Sequence, residues 1–257
     1  MPASDSPRKV FAVTGGASGI GAAAVALLAS RGHAVVVMDV QPPATTPAGD
    51  VRFIRTDVAD EASVRSAFAD IDAAGGGLAA LVNSAGVESK FLLASMTLQA
   101  WERVQRINLT GTLLCLQAAA GLMRRQGGGA IVNVASIAGK RMSYSGDAAY
   151  TASKSAVLGL TRHAAFELAA DGIRVNAVCP GPTLTPMITR NLGAERIAAV
   201  ARTVPMGRWV QASDIANAIE FLATDASAMC TGIALDVDGG VLVSNGSAYA
   251  DYFAARQ

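Results

Sequence analysis

The sequence predicts an α/β fold in which about seven parallel strands form one doubly wound sheet with helices on both faces. Three observations lead there. Short β-branched runs alternate with longer segments of helix-forming residues. One run, residues 34–38 (AVVVM), is apolar at every position, the pattern of a strand covered on both faces. Glycines fall at Gly32, at 75–77, at 127–129 and at Gly172, where helical segments ought to end. Parallel strands need crossover connections, and the helices supply them.

The elements follow in order. Residues 10–13 are a strand, and a glycine-rich turn leads to a helix over 22–30. Strands at 34–38 and 51–55 precede a helix at 61–73. A strand at 78–82 is followed by one long helix at 98–122, a strand at 130–135 by a helix at 150–170. Residues 173–178 are a strand, 213–224 a helix and 233–237 the last strand. The Pro-rich stretch 42–47 reads as a surface loop. No repeat or long linker is legible, so residues 1–257 are expected to form a single domain, with a substrate lid at about 186–209 and a tail at 245–257.

Composition narrows the function classes. The chain is 51% apolar and only 16% charged, against an ordinary charged share of about 25%. That suits strands buried on both faces, or surface hidden in an oligomer. A net charge of +1 argues against a nucleic-acid or membrane partner. Cys115, Cys179 and Cys230 are odd in number and form no CxxC pair, as expected of small buried residues in a reducing compartment. The polar start MPASDSPRK lacks a signal-peptide pattern, and the apolar stretch 22–38 is interrupted by Arg31, Gly32 and His33. A soluble, cytoplasmic protein is expected.

The first chemical motif is TGGASGIG at 14–21, between a strand and a helix. Glycines there let the backbone turn sharply and approach a pyrophosphate, and the helix start offers unpaired N–H groups and the positive dipole end. Any tight strand-to-helix turn also favours glycine. Asp39 strengthens the dinucleotide reading. It ends the second strand, where a carboxylate accepts hydrogen bonds from both adenosine ribose hydroxyls and repels a 2′-phosphate. Its neighbours Ala17, Ser18 and Val40 carry no charge to pair with such a phosphate. NAD(H) is therefore expected over NADP(H), although a strand-end aspartate can also be merely solvated.

The second motif is YTASK at 150–154. Residues i and i+4 share one helix face. An ammonium beside a phenol stabilises the phenolate. Working near neutral pH requires lowering a phenol pKa of about 10 by ~2–3 units, or roughly 3–4 kcal/mol. Tyr and Lys are common on helix surfaces, so the weight of the pair comes from its place after the fifth strand, with Ser136 at that strand's end.

Together these motifs resemble the short-chain dehydrogenase/reductase family, which has a single-domain Rossmann-type fold. Agreement runs over about 10–243, in the family's order: TGGASGIG at 14–21, Asp57-Val58, Asn83-Ser84-Ala85-Gly86, Asn108, Ser136, Tyr150 with Lys154, Pro180-Gly181, and VDGG at 237–240. The resemblance implies that Tyr150 exchanges the hydroxyl proton while a hydride passes to or from the nicotinamide. Lys154 would lower the Tyr150 pKa and hold the nicotinamide ribose. Ser136 would bond the substrate oxygen, and Asn108 would position a relay water. Gly15, Ser18, Gly19 and Ile20 would meet the pyrophosphate, and Asp57 and Val58 the adenine. Asn83, Ala85 and Gly86 would line the cofactor's middle, and Pro180, Gly181, Thr183 and Thr185 its nicotinamide end. A metal site is not implied; His163 and Glu167 share a helix face but lack a third ligand.

Two departures stand out. Ser84 replaces a second Asn common in the family. The gap from Ser136 to Tyr150 is one residue longer than usual, so 137–149 must bulge, and Ser143 and Ser145 become rival hydroxyls. Ser136 is preferred because it directly follows the strand. The lid carries Arg190, Arg196, Arg202 and Arg208 against one acid, Glu195, which suits an anionic or acyl-carrier substrate or simply a solvated helix. Trp101 and Trp209 read as packing groups. Arg124 and Arg125 read as the cationic end of a helix. Tyr249, Tyr252 and Phe253 in the tail suit a subunit contact or local packing. The leading expectation is hydride transfer between NAD(H) and a small secondary alcohol or ketone. Reduction of a 3-oxoacyl thioester is the alternative, and a non-catalytic NAD-binding regulator a remote one. A homotetramer, or a homodimer, joined through helices 98–122 and 150–170 is expected.

Overall fold

The computed structural model describes residues 9–185, 193–244, 249–254 and 256. The strands are β1 (Val10–Thr14), β2 (Ala34–Asp39), β3 (Val51–Arg55), β4 (Leu78–Asn83), β5 (Gly129–Val134), β6 (Ile173–Pro180), β7 (Thr183–Leu184), β8 (Val210–Gln211) and β9 (Ala234–Val237). The helices are α1 (Gly19–Ser30), α2 (Glu61–Ala73), α3 (Leu98–Gln105), α4 (Gly111–Arg125), α5 (Ala148–Leu168), α6 (Ala194–Thr203), α7 (Ala212–Ala223) and α8 (Tyr249–Ala254).

Seven strands form one parallel sheet in the order β3-β2-β1-β4-β5-β6-β9, as expected for a doubly wound fold. Chain direction across the sheet reverses between β1 and β4. Thr14 pairs with Met38 on one side and Asn83 on the other, so the carboxyl ends of these strands open one crevice. The β-branched runs form strands because both faces are covered. On one face Val13, Val37 and Val132 pack with Val25 and Leu28 of α1 and Ile219 and Leu222 of α7. On the other, Met38, Leu81 and Ile131 pack with Phe68 of α2, Met123 of α4 and Leu168 of α5. A side chain of this size contributes about 1.5–3 kcal/mol on full burial. A third cluster, with Ala135, Leu158, Cys179 and Val241, lies under the end of β5.

Most boundaries shift by a residue or two, and four departures from expectation bear on the site. α1 begins at Gly19, because glycines at the turn are held by close packing that overrides their low helix propensity. The long helix is not uniform: α3 and α4 flank one π-helical turn, Arg106–Thr110, which accommodates an extra residue and turns Asn108 inward. α5 begins at Ala148, because Asp147 Oδ1 accepts a hydrogen bond from Tyr150 N at 3.1 Å and caps it. β6 runs to Pro180, which pairs with Val237 of β9. The small parallel pair β7–β8 is an addition.

Within the lid region, residues 186–192, including Arg190, lie outside the described residues. In the tail the described Tyr252 ring is exposed and carries the Arg256 guanidinium 3.6 Å from its centroid, while the side chains of Tyr249 and Phe253 lie outside the description. Cys115 and Cys179 are buried free thiols, and burial pushes them up to about 12 and about 11. Cys230 is half-buried and free. Arg124 and Arg125 do end α4, pairing with Asp171 and Asp72. His33 packs its ring against Phe11. His163 and Glu167 form an exposed pair at 3.4 Å, and no group of three metal-binding side chains occurs among the described residues. Among the same residues no helix is long and apolar enough to cross a membrane.

Candidate active site

A cleft of about 830 Å³ opens at the carboxyl ends of the strands. Every residue given a catalytic or cofactor-binding role from the sequence lines it except Asn83 and Asn108.

At one end lies the glycine cradle. Gly15 has φ +64°, and a Cβ there would come within 2.7 Å of Ala85 Cα. A Cβ on Gly21 would stand 2.2 Å from Gly15 O. Side chains are thus excluded where the backbone bends toward the cleft. Ser18 precedes α1 without capping it through its side chain, and no acid lies in the first turn. The N–H groups of that turn are left for an anion. This cradle fits a dinucleotide pyrophosphate. Thr14 was not singled out, yet its Oγ1 accepts from Ser84 N at 3.1 Å and Ala85 N at 3.2 Å, tying β1 to the turn after β4. Because these bonds use backbone N–H groups, Ser84 preserves the turn without a second Asn.

Asp39 stands at the lip. Its Oδ2 accepts from Ala17 N at 3.1 Å and its Oδ1 from Gln41 N at 3.3 Å, which fixes the carboxylate beside the cradle. Asp57 Oδ1 accepts from Ala59 N at 2.9 Å, and Val58 is buried against the helix at Gly111, where a Cβ would come within 2.8 Å of Val58 Cγ2.

At the other end the reactive groups converge. Lys154 is buried, and its Nζ donates to Val134 O at 2.8 Å. Burial lowers its pKa to about 8. The ammonium lies 5.8 Å from the Tyr150 ring centroid. Burial pushes the Tyr150 phenol above its ordinary value, a hydrogen bond from Ser136 pulls it down, and the Glu88 charge pushes it up again. Ser136 Oγ also accepts from Ala138 N at 3.0 Å, capping a 3-10 turn at Ile137–Gly139. This separates the rival hydroxyls. Ser143 and Ser145 line the cleft, but Ser143 Oγ accepts from Gly146 N at 2.8 Å, whereas Ser136 meets Tyr150.

Asn83 and Asn108 sit behind the wall. Asn83 Nδ2 donates to Asn133 Oδ1 at 2.9 Å, and Asn133 Nδ2 to Thr161 Oγ1 at 2.9 Å, so Asn83 cross-ties β4, β5 and α5. Asn108 Oδ1 accepts from Val87 N at 2.8 Å, and its Nδ2 donates to Val87 O at 2.9 Å and Ser153 Oγ at 3.0 Å. Its side chain is fully engaged in holding the loop after β4 to α5, one residue before Lys154. Gly86 keeps the intervening space open, since a Cβ there would lie 3.4 Å from Asn108 Oδ1 and 3.6 Å from Lys154 Nζ.

Two acids belong to this end and escaped the sequence reading. Burial works against the Asp147 carboxylate, but hydrogen bonds from Ser89, Phe91, Tyr150 and Ala149 outweigh it and hold the carboxyl below its ordinary value. An Asp three residues before Tyr150 is a capping signal visible in the sequence. Glu88 lines the cleft with its carboxyl raised, mainly by burial, and pairs with Lys90 at 3.6 Å. From the lid, Arg196, Val200 and Trp209 reach the cleft.

Comparison with known proteins finds relatives over nearly the whole chain. The family model described as Enoyl-(Acyl carrier protein) reductase matches residues 15–242. The chain is 45% identical over 241 residues to a cis-4-hydroxycyclohexanecarboxylate dehydrogenase of Sinomonas cyclohexanicum, covering 91% of this chain and 96% of the relative. It is 38% identical over 252 residues to a 3-oxoacyl-[acyl-carrier-protein] reductase of Synechocystis, covering 91% and 97%. The ligand-free aldohexose dehydrogenase of Thermoplasma acidophilum superposes with a TM-score of 0.88 at 30% identity, covering 95% of this chain and 98% of that one. ElxO, solved with NADP bound, superposes with a TM-score of 0.86 at 29% identity, covering 92% and 100%.

Proposed function

The chain belongs to the short-chain dehydrogenase/reductase family, and from that premise we propose that it is an NAD(H)-dependent oxidoreductase interconverting a secondary alcohol and its ketone, with Tyr150 as general acid/base. The observation that carries this is the meeting of Tyr150, Lys154 and Ser136 at one end of a cleft whose other end is the glycine cradle and Asp39.

Bound nicotinamide supplies the hydride donor or acceptor and, when oxidised, a positive charge. The chain supplies everything else. Gly15, Ser18, Gly19 and Ile20 hold the pyrophosphate, and Asp57 and Val58 flank the adenine. Asp39 takes both ribose hydroxyls and repels a 2′-phosphate, which supports NAD over NADP. Ala85 and Gly86 line the middle, and Pro180, Gly181, Thr183 and Thr185 the nicotinamide end. Ser136 bonds the substrate oxygen, and Tyr150 removes or returns its proton. A unit charge ~6 Å away at an effective dielectric of about 20 is worth on the order of 3 kcal/mol, the scale needed to bring a phenol toward neutral working range. The Lys154 ammonium stands 5.8 Å from the Tyr150 ring centroid, which puts a positive charge beside the phenol. Asn108 and Asn83 act by position, from behind the wall, and the relay-water role of Asn108 falls to the loop and helix that its fully engaged amide ties together beside Lys154.

The relative named for cis-4-hydroxycyclohexanecarboxylate supports a compact alicyclic alcohol as the substrate type. Reduction of a 3-oxoacyl thioester is a second reading, favoured by the Synechocystis relative and opposed by Asp39. A cytoplasmic, single-domain homotetramer completes the proposal; the outward Phe166 on α5 and Leu113 on α4 suit such contacts. The test is growth of NADH absorbance when purified protein meets NAD and a panel of secondary alcohols, with its loss in Tyr150→Phe. Turnover of acetoacetyl-CoA with NADPH in preference to every alcohol would decide for the thioester reading.

A further inference from the structure

We propose that Arg141 and Arg196 form a carboxylate-binding pair at the substrate end of the cleft, so that the preferred alcohol carries a carboxylate away from its reacting carbon. This rests on the alcohol-oxidising reading of Tyr150.

Among the described residues the lid's cations differ in role. Arg208 is consumed by Asp214, with contacts of 2.6 and 3.2 Å that hold β8 to the start of α7. Arg202 is exposed and off the cleft. Arg196, on α6, lines it. Arg141 reaches the same cleft from the loop after Ser136. Its guanidinium lies 5.4 Å from the Tyr144 ring centroid. Such stacking holds a guanidinium by its face and leaves its N–H edge for an acceptor.

Neither arginine has a carboxylate partner among the described residues. The acids lining the cleft are otherwise engaged. Asp39 and Asp57 stand at the dinucleotide end and accept backbone N–H groups, and Glu88 is paired with Lys90. Three guanidiniums line one cleft with no carboxylate partner among the described residues, Arg103 from α3 and Arg141 and Arg196 beside the lid, and desolvation of the latter two on ligand binding is compensated only by an anion the ligand brings. A planar carboxylate matches the guanidinium fork. Apolar side chains line the cleft next to them in the chain: Met142 beside Arg141, and Val200 one turn after Arg196, with Trp209 against the same helix. Trp209 uses its single N–H on Ile197 O at 2.7 Å, so it offers a substrate only its ring and also braces the helix that bears Arg196. An apolar wall with a cationic edge suits a hydrocarbon frame ending in a carboxylate better than a polyol.

The test measures kcat/KM with NAD for 4-hydroxycyclohexanecarboxylate and for cyclohexanol, its uncharged parent, in the wild type, Arg141→Gln, Arg196→Gln and the double variant. The wild type is expected to prefer the carboxylate at least tenfold. Each single variant is expected to lose about tenfold or more of that preference, mostly through KM, and the double variant to abolish it. Equal losses on both alcohols, or none, would overturn the pair. Better turnover of acetoacetyl-CoA than of either alcohol would overturn the carboxylate in favour of a thioester. If neither alcohol is oxidised, the Tyr150 reading fails by itself, and calorimetry with cyclohexanecarboxylate and cyclohexanemethanol on the NAD-saturated protein still decides the pair. Tighter carboxylate binding that the arginine variants lose supports it; equal affinities refute it.

Discussion

The Lys154 ammonium donates to the backbone carbonyl of Val134 at 2.8 Å while standing almost wholly out of solvent. That arrangement costs stability. Its folded pKa of about 8 lies below the ordinary 10.5, so between those values the folded chain binds fewer protons than the unfolded one. The penalty, about 3 kcal/mol, is fully present below pH 8 and relieved as pH rises toward 10.5. Lys154→Met should therefore melt several degrees above the wild type at pH 7, by a margin that shrinks toward pH 10. A margin that stays constant across that range would sink the idea.

Tyr150→Phe keeps the ring that packs beside Lys154 and removes only the hydroxyl. We expect kcat to fall by about 10²–10⁴-fold, the usual worth of a general acid/base, with NAD affinity changed little. Stopped-flow turnover and fluorescence titration of NADH check both halves. Retention of a tenth of the activity would move the proton-transfer role elsewhere.

Glu88 raises the Tyr150 phenol through its charge. Removing that charge in Glu88→Gln lowers the phenol pKa, and it also frees Lys90, which acts in the same direction. The limb of alcohol oxidation that rises with pH should therefore begin at lower pH. A profile of kcat/KM against pH reads the shift; an unmoved limb, or one moved to higher pH, contradicts it.

Asp39 is anchored by Ala17 N, so its carboxylate cannot readily swing away from a 2′-phosphate. Asp39→Ala should lower the NAD over NADP preference in kcat/KM by at least about tenfold, equivalent to ~1.4 kcal/mol. An unchanged ratio would mean that the carboxylate is merely solvated.

The layout of strands and helices was legible because burial on both faces writes continuous apolar runs, of which 34–38 is the clearest. The site was legible where function demands a residue type at a fixed backbone position, as at Gly15 or Tyr150. It was less so where position depends on which way a short side chain turns. Asn83 and Asn108 sit near the cofactor groove in sequence terms, yet both point inward to polar partners. The π-helical turn around Asn108 carries no periodic signature, because one extra residue in a turn leaves the apolar pattern nearly unchanged. Among the lid arginines, only packing distinguishes Arg208, tied to Asp214, from Arg196, facing the cleft.

Lys140, just past the turn that Ser136 caps, binds Asp236 of β9 at 2.5 Å and the carbonyl of Ala234 at 3.1 Å. β9 follows all six other strands of its sheet in the chain. The loop after Ser136 is thus moored by the strand of its sheet that comes last in the chain, so its place is fixed only when the sheet is complete. A chain cut short before β9 would lose that mooring, and with it the fixed aim of the loop that carries Ser136.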